Sequence, residues 1–247
     1  MCLEILSYIC TLFLRIHIFY IIMAKKNFKK EDEQLENVNE ALSTTGQWIE
    51  EHSNMLTWIV TAVVVVILGI IALNNYVLKP KALEASNENA KCAVYFQAGD
   101  YEKALNGDDA ECIGFEAVAN DYKLYRPGKL AALYAGVCYY QLGDMDNAAK
   151  YISRFHASDV NIDPAAHQLL GDVYVELEEY GKAVRAFEKA AKSGNDLIAP
   201  MSLKKAGLVY LEMGDNHAAK HAFEQIKNEY PASQEAADID KYIEIAR

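Results

Sequence analysis

Three segments in the carboxyl-terminal half of the chain align with one another, and this internal repeat constrains the fold more than any other feature. The aligned segments are residues 130–148, 165–183 and 201–219. Glycine recurs at Gly136, Gly171 and Gly207, and in each segment a tyrosine follows three residues later and an alanine twelve residues later. Intervals of 35 and 36 residues between the glycines predict stacked helix pairs, in which each unit buries its apolar face against the next.

Each repeated position has a predicted physical role. The small residues let the two helices of a unit approach closely, and the tyrosine fills the space beside them. The Gly-Asp pairs at 143–144 and 214–215 predict the turn inside a unit, because glycine accepts the left-handed conformation that ends one helix and aspartate caps the next. Phe187 and Phe223 are predicted to fill the contact with the following unit.

Altered units flank the three repeats. Residues 95–104 match the turn and the start of a second helix, and an insertion follows at 105–112. A short helix is predicted at 113–122, where the stack resumes. At the other end, residues 233–247 predict one amphipathic helix, which would cover the exposed apolar end of the stack.

These motifs resemble the tetratricopeptide repeat family across roughly residues 90–247. The resemblance implies an all-α solenoid, with a degraded first repeat at 79–127, three repeats at 128–232 and a capping helix at 233–247. It also implies a concave groove, lined by the inner helix of each repeat, that binds other proteins. The positions that would face this groove are Leu130, Leu133, Val137, Tyr140, Gln141, Ala165, Gln168, Asp172, Val175, Glu176, Met201, Lys204, Leu208, Leu211 and Glu212.

The composition of these positions indicates the kind of partner. The lysine–asparagine clamp with which relatives hold a peptide carboxylate is absent, apart from Lys204. An apolar groove that carries a tyrosine suits a hydrophobic or helical segment of another protein. The alternative is that Leu130, Leu133 and Val137 are covered from within by the degraded first unit.

A second constraint is the stretch from Ser53 to Leu78, which has twenty-six residues and no charge. A membrane-spanning helix needs about 20 apolar residues, and an uncharged run of this length is rare in soluble cores. Trp58 and Tyr76 lie eighteen residues apart, about 27 Å along a helix, which places one aromatic ring at each interface. We therefore expect residues 53–78 to form a transmembrane helix.

The residues before this helix set the expected topology. Residues 1–22 are mostly apolar and indicate either a misassigned start, with Met23 as the true one, or an extra membrane helix. Four lysines within residues 25–30 mark the cytoplasmic side. The prediction is a single-pass protein of a bacterial inner membrane, with a cytoplasmic amino terminus if Met23 is the start and a periplasmic repeat domain. Apolar positions within residues 35–49 recur at helical spacing, which indicates a pairing helix for a homodimer or an amphipathic helix at the membrane interface.

The charge balance excludes one class of partner. Residues 79–247 hold 19 Lys and Arg residues against 27 Asp and Glu residues, which leaves a net charge of −8. Such a surface repels the phosphates of nucleic acids and of anionic lipids. We expect no nucleic-acid partner and a domain that stands off the membrane.

The sequence carries no recognisable catalytic motif. His217 and His221 share a helix face at a zinc-like spacing, but no third ligand is near them. None of the five cysteines forms a C-x-x-C pair. Cys92 and Cys138 are predicted to be small buried apolar residues. Cys112 could meet Cys138 if their helices pack together, and the sequence leaves this bridge open. The sequence thus predicts a non-enzyme without a cofactor or metal.

The order of the segments is more specific than the repeat. A lysine-rich start, an acidic amphipathic stretch, one apolar helix and three repeats resemble membrane-anchored envelope proteins of Bacteroidota. That group is similar to the ancillary SecYEG translocon subunit family (YfgM-like). The resemblance implies a scaffold or chaperone-like adaptor that contacts translocon subunits, periplasmic chaperones or exported chains. The alternative is a structural partner in an envelope assembly or cell-division complex.

Overall fold

Within residues 52–108, 111–157 and 159–247, which the computed structural model describes, every regular element is helical. The chain divides at Ile67 into two compact units. Helix α1 (Ser53–Leu73) includes that division and is followed by a π-helical turn (Asn74–Leu78) and by α2 (Lys79–Gln97). The helix predicted around residues 35–49 lies outside the described residues.

Helix α1 differs from every helix that follows it, because its apolar side chains are uncovered. Among the described residues, the helical segment from Ser53 to Gln97 is the one that is long and apolar enough to cross a membrane, by length and composition. No residue in its most apolar part is buried, and Trp58 is 76% exposed. A helix that is apolar on all sides needs apolar surroundings, and the residues that the structure describes do not supply them to α1.

The remaining helices pack as successive pairs. The altered first unit contains α2, α3 (Tyr101–Asn106) and α4 (Phe115–Asp121). The three repeats follow as α5 (Arg126–Gln141) with α6 (Met145–Ile152), α7 (Ile162–Glu176) with α8 (Tyr180–Ala191), and α9 (Ile198–Glu212) with α10 (Asn216–Glu229). A 3-10 turn (Glu235–Asp238) and α11 (Ile239–Ile245) end the chain.

The Gly-Asp turns form as the sequence predicts. Gly143 and Gly214 have φ angles of 84° and 77°, in the left-handed region. The aspartate that follows each glycine accepts the backbone N–H of the residue three positions further on, at 3.0 Å in both turns. The middle repeat departs from this pattern, because Glu178 takes the left-handed position with a φ of 57° and Glu179 makes no side-chain cap.

The repeated glycines mark the places where the two helices of a unit touch. A Cβ atom at Gly171 would come within 2.8 Å of Phe187 Cζ, and one at Gly207 within 2.9 Å of Phe223 Cδ1. Both rings are buried. Phe187 also packs with Ala206 of the next repeat. Each ring therefore fills the space left by a missing side chain in its own unit, in addition to the predicted contact with the following one.

The insertion in the first unit is held against α2 by a disulfide between Cys92 and Cys112, with 5.2 Å between their Cα atoms. Cys92 is buried, as the sequence predicts, but it is bonded to Cys112 and is not a free thiol. The bridge between Cys112 and Cys138, which the sequence left open, is not formed. Asp108 explains the choice of partner. Its carboxylate accepts the Tyr95 hydroxyl and, at 2.7 Å, the backbone N–H of Cys112, so it brings Cys112 beside α2. Cys138 is free and buried, and burial raises the pKa of its thiol to about 12.

Two predicted helices differ in the structure. The helix expected at 113–122 runs only from Phe115 to Asp121. The single helix expected at 233–247 is divided at Asp238 into the 3-10 turn and α11. Lys204 Nζ lies 2.7 Å from the Asp238 carboxylate, and this contact holds the chain at the point where it bends. Ile239 is buried just after the bend, in the last apolar cluster.

Candidate partner-binding groove

The positions predicted to face the groove lie on α5, α7 and α9, the first helix of each repeat. Most are half-buried, and five are exposed. The half-buried residues are Leu130, Leu133, Val137, Tyr140, Gln168, Asp172, Val175, Met201, Lys204 and Leu211. The exposed residues are Gln141, Ala165, Glu176, Leu208 and Glu212.

The apolar positions each have one side on the core. Leu130, Leu133 and Tyr140 pack against the cluster that α6 and α7 supply, with Ile152 and Leu170 at its centre. They therefore pack on the second helix of their own repeat and on the first helix of the next one. In the next two repeats Val175 and Leu211 pack on the two following clusters in the same way. Leu208 is 41% exposed.

The charged positions of the groove are paired with neighbouring repeats. Asp172 on α7 accepts two bonds from Lys205 on α9, at 2.6 and 2.8 Å. Lys204 donates to Asp238 at 2.7 Å and lies 4.7 Å from the centre of the Tyr242 ring. Its ammonium group holds the pKa of the Asp238 carboxyl below the ordinary value. Lys204 is therefore committed to the end of the stack and does not form one half of a carboxylate clamp.

Gln168 joins the same two helices without a charge. Its side-chain amide donates to Met201 Sδ at 2.9 Å and accepts the Ser202 hydroxyl at 3.3 Å. Since these polar contacts join α7 to α9, they fix the spacing of adjacent inner helices. The groove then has apolar side chains and the exposed Gln141, Glu176 and Glu212 with which to meet a partner.

The structure adds a role for the repeated tyrosines that the sequence analysis missed. Tyr139 and Tyr151 donate their hydroxyls to the two carboxylate oxygens of Glu116, at 2.8 and 2.7 Å. Tyr210 donates to Glu188 at 2.7 Å. The glutamates stand 23 and 22 residues before Tyr139 and Tyr210, and this spacing is a signal by which they could have been found. Burial, followed by the bond to glutamate, raises the pKa of Tyr139 and raises that of Tyr210 to about 12.

The two histidines at zinc-like spacing lie away from the groove. His217 and His221 are exposed on α10 and line an open cleft of about 420 Å³. Glu188 and Tyr210 also line that cleft, where their side chains are bonded to each other. Among the residues that the structure describes, no group of three or more His, Cys, Asp and Glu side chains is placed to hold a metal ion.

The repeat pattern, the glycine contacts and the helix pairs agree with a match to a known family. A family model for a tetratricopeptide repeat-like domain matches residues 46–244. The chain belongs to this family. Its repeats form a protein-interaction module, and this fold is typically non-enzymatic.

Individual relatives are distant. The TPR repeat-containing protein MJ1428 of Methanocaldococcus jannaschii is 27% identical over 159 residues, which are 62% of this chain and 26% of that protein. The present chain thus spans about a quarter of the length of MJ1428. Among solved structures, a MamA protein is 19% identical, with a TM-score of 0.48 over 66% of this chain and 89% of its own. A putative kinesin light chain of Podosopora anserina with TPR-like repeats is 13% identical, with a TM-score of 0.49 over 68% and 85%.

Proposed function

We propose that this tetratricopeptide repeat protein is a membrane-anchored adaptor, which holds its repeats outside the cytoplasm and binds apolar or helical segments of other proteins in the groove of α5, α7 and α9. The observation that carries the proposal is the row of incompletely covered apolar side chains on consecutive inner helices. Val137, Tyr140, Val175, Leu208 and Leu211 belong to this row.

The groove suits a partner with apolar side chains more than one with a free carboxylate. Lys204, the cation among its predicted positions, is bonded to Asp238, and the adjacent Lys205 is bonded to Asp172, so neither ammonium group is free to hold a chain terminus. Half-buried apolar residues on a fixed backbone lose little conformational freedom on binding, and they exclude water when a partner's apolar face covers them. An exported chain that has not folded, or an amphipathic helix of a translocon subunit or chaperone, has such a face. We propose these as the partners.

The anchor is proposed from α1. Its side chains are uncovered and its apolar length suffices for a bilayer. The family match begins at residue 46 and so includes this helix together with the repeats. With the lysines of residues 25–30 on the cytoplasmic side, the repeats would lie in the periplasm.

The disulfide supports the same location. Cys92 and Cys112 form a bridge within one domain, and structural disulfides persist in the periplasm and other oxidising compartments while they are rare in the cytosol. The bridge also gives a reason for the insertion in the first unit, since Cys112 lies at the end of that insertion.

A photocrosslinking experiment tests the proposed groove. A benzophenone amino acid replaces Leu208 or Tyr140 in the full-length protein in cells. Matched controls carry it at Arg185 and Lys189, which are exposed on α8. We expect adducts with translocon subunits, periplasmic chaperones or exported chains from the groove positions and much weaker adducts from α8.

Two outcomes would contradict the proposal. Equal adduct patterns at the groove and α8 positions would show that the groove has no binding preference. Adducts with cytosolic proteins alone would place the repeats on the wrong side of the membrane. Protease treatment of spheroplasts provides an independent check, because a periplasmic repeat domain is degraded without lysis and a cytosolic one is not.

A further inference from the structure

The first and second helices of each repeat end differently. The second helices α6, α8 and α10 each carry a lysine in the last turn, at Lys150, Lys189 and Lys227. The first helices α5, α7 and α9 have no basic residue there, and α7 and α9 end in Glu176 and Glu212. A carboxylate at the carboxyl end of a helix meets the negative end of the helix dipole, which destabilises the helix. The second helices therefore follow the electrostatic preference of a helix end, and the first helices do not.

Neither glutamate has a partner that would offset this destabilisation. Both side chains are exposed. Among the residues that the structure describes, neither carboxylate makes an ion pair or a side-chain hydrogen bond, whereas Asp172 is bonded to Lys205 and Lys204 to Asp238. Places where a sequence departs from a local preference without compensation in the fold are candidates for function. The two glutamates are therefore available to a cation from another molecule.

The two glutamates lie at the same end of neighbouring helices. Gln168 on α7 is bonded to Ser202 on α9. One turn later, Asp172 is bonded to Lys205. Later residues of α7 thus meet later residues of α9, so the two helices run in the same direction. Their last residues therefore lie at one edge of the groove, and we call the pair Glu176 and Glu212 the acidic edge.

No lysine or arginine balances the acidic edge from the turns that follow the first helices. Residues 142–144, 177–179 and 213–215 contain neither. Glu178, in the turn after α7, is exposed and adds a further carboxylate at that end of the helix. At the corresponding place on α5 stands Gln141, which is exposed and uncharged. The negative potential of the groove is therefore concentrated where α7 and α9 end.

Apolar side chains line the groove beside the acidic edge. Leu208 lies one helical turn before Glu212, on the same face, and is 41% exposed. Val175 and Leu211 directly precede the two glutamates and are half-buried. Met213 follows the second glutamate and is 48% exposed. A partner whose apolar surface covers these side chains brings the border of that surface to the carboxylates.

The spacing of α7 and α9 selects the conformation of the partner. Packed helices have axes about 8–10 Å apart, so a carboxylate recurs across the groove at roughly that distance. A helix that crosses α7 and α9 presents the same face every seven residues, about 10.5 Å along its axis. An extended strand presents the same side at intervals of about 6.6 or 13 Å, which match the spacing less well. A helix therefore fits the groove in both face and period.

We propose that the groove binds an amphipathic helix of a partner protein whose apolar face is bordered by lysine or arginine, with two of these basic residues about seven positions apart and beside Glu176 and Glu212. This inference rests on the proposed groove and names the chemistry of its partner. Lysine and arginine suit the border, because their long stems lie along apolar surface while the charged ends reach a carboxylate.

The apolar and acidic parts of the groove then have different tasks. Burial of apolar side chains supplies most of the binding free energy and is the same for any helix with a similar apolar face. The acidic edge attracts basic helices and repels acidic ones, so it decides which of these helices binds.

The test measures the binding of synthetic peptides to the full-length protein in nanodiscs of phosphatidylcholine, a lipid without net charge, with empty nanodiscs as the background. Each fluorescently labelled peptide forms an amphipathic helix with the same leucine face. The first peptide carries two lysines seven residues apart at the border of that face. The second has glutamine at both positions, and the third carries its two lysines three residues apart. Fluorescence anisotropy gives the dissociation constant of each peptide.

Three variants separate the charge from the apolar groove. Glu176→Gln with Glu212→Gln removes the acidic edge. Glu102→Gln with Asp146→Asn removes the same number of charges from exposed positions on α3 and α6 and is the matched control. Leu208→Gln alters the apolar part of the groove. Circular dichroism checks that each variant is folded.

We expect the first peptide to bind roughly five- to tenfold more tightly than the second, as two exposed ion pairs would give, and the third to lose most of this advantage. Removal of the acidic edge should abolish the difference between the first two peptides, and the matched control should retain it. Leu208→Gln should weaken both peptides by a similar factor, because the apolar contact is common to them.

Equal binding of the first and second peptides to the unaltered protein would overturn the inference and leave the groove intact. A preference for lysine that survives the removal of the acidic edge would also overturn it, as would equal binding of the first and third peptides. No binding of any peptide, or binding that Leu208→Gln leaves unchanged, would refute the proposed groove and the inference with it.

Discussion

The disulfide between Cys92 and Cys112 makes the sharpest prediction about stability. Reduction opens a loop whose ends are 20 residues apart in sequence. In the chain-entropy treatment, a cross-link over a loop of this length lowers the entropy of the unfolded chain by an amount equivalent to about 3 kcal/mol at 25 °C. We therefore expect reduction to lower the free energy of unfolding by about 3 kcal/mol.

The full-length protein in detergent is unfolded with urea and followed by far-ultraviolet circular dichroism, with and without dithiothreitol. For an m-value of about 2 kcal/mol/M, a loss of about 3 kcal/mol moves the midpoint down by roughly 1.5 M. On reduction we expect the first unit to unfold before the repeats, because both cysteines are buried in its cluster, which contains Phe115 and Ala131.

The double variant Cys92→Ala with Cys112→Ala is the control. It should unfold near the midpoint of the reduced wild type, and dithiothreitol should leave it unchanged, since no disulfide then remains among the residues that the structure describes, where Cys138 is free and buried. A shift of less than about 0.3 M on reduction of the wild type would refute the entropic argument. An equal response of the double variant would show that the reductant acts elsewhere.

Three further predictions concern the repeats. Gly207→Ala should lower the free energy of unfolding in urea by roughly 1–2 kcal/mol, because the new Cβ would displace the buried Phe223 ring. The control Gly181→Ala, whose Cβ meets nothing within 4 Å, should be neutral or stabilising. Equal effects of the two substitutions would refute the contact argument. Asp215→Ala should cost about 1 kcal/mol through the lost cap of α10, measured in the same way, and no loss would show that the cap is dispensable. The pKa of Tyr210 is raised to about 12, and a raised pKa means that the folded state favours the neutral phenol. The stability that this group contributes is therefore fully present below about pH 10 and is lost as the pH rises toward 12. In urea unfolding at several pH values, Tyr210→Phe should weaken the fall of the unfolding free energy over this range. An unchanged pH dependence would contradict the assignment.

The local parts of the fold could be predicted because their causes lie within a few residues. A glycine followed by aspartate fixes a left-handed turn and a cap without reference to the rest of the chain, as at Gly143 and Gly214. The spacing of Gly171 and Phe187 likewise repeats in the next unit as Gly207 and Phe223, so periodicity identified both rings as packing positions. The contact of each ring with the following unit was predicted, and its contact with the glycine of its own unit was not.

The parts that could not be predicted depend on how one unit is rotated against the next. Lys205 meets Asp172 and Lys204 meets Asp238 across 33 and 34 residues, and nothing in the sequence says that neighbouring lysines serve different helices. The partner of Cys112 was missed for a similar reason. The fold of the insertion is decided by the bonds of Asp108, and helical periodicity carries no signal for them.

The covalent bridge in the first unit also determines how a pulling force would travel through the molecule. A chain held at its amino-terminal side feeds tension into α2, and Cys92 diverts it to Cys112 before it reaches α3. The segment between the two cysteines is then shielded from load, and the strain passes by way of α4 to the first repeat. A partner held in the proposed groove of α5, α7 and α9 would therefore load the first repeat through α4, while the segment between the two cysteines keeps its shape.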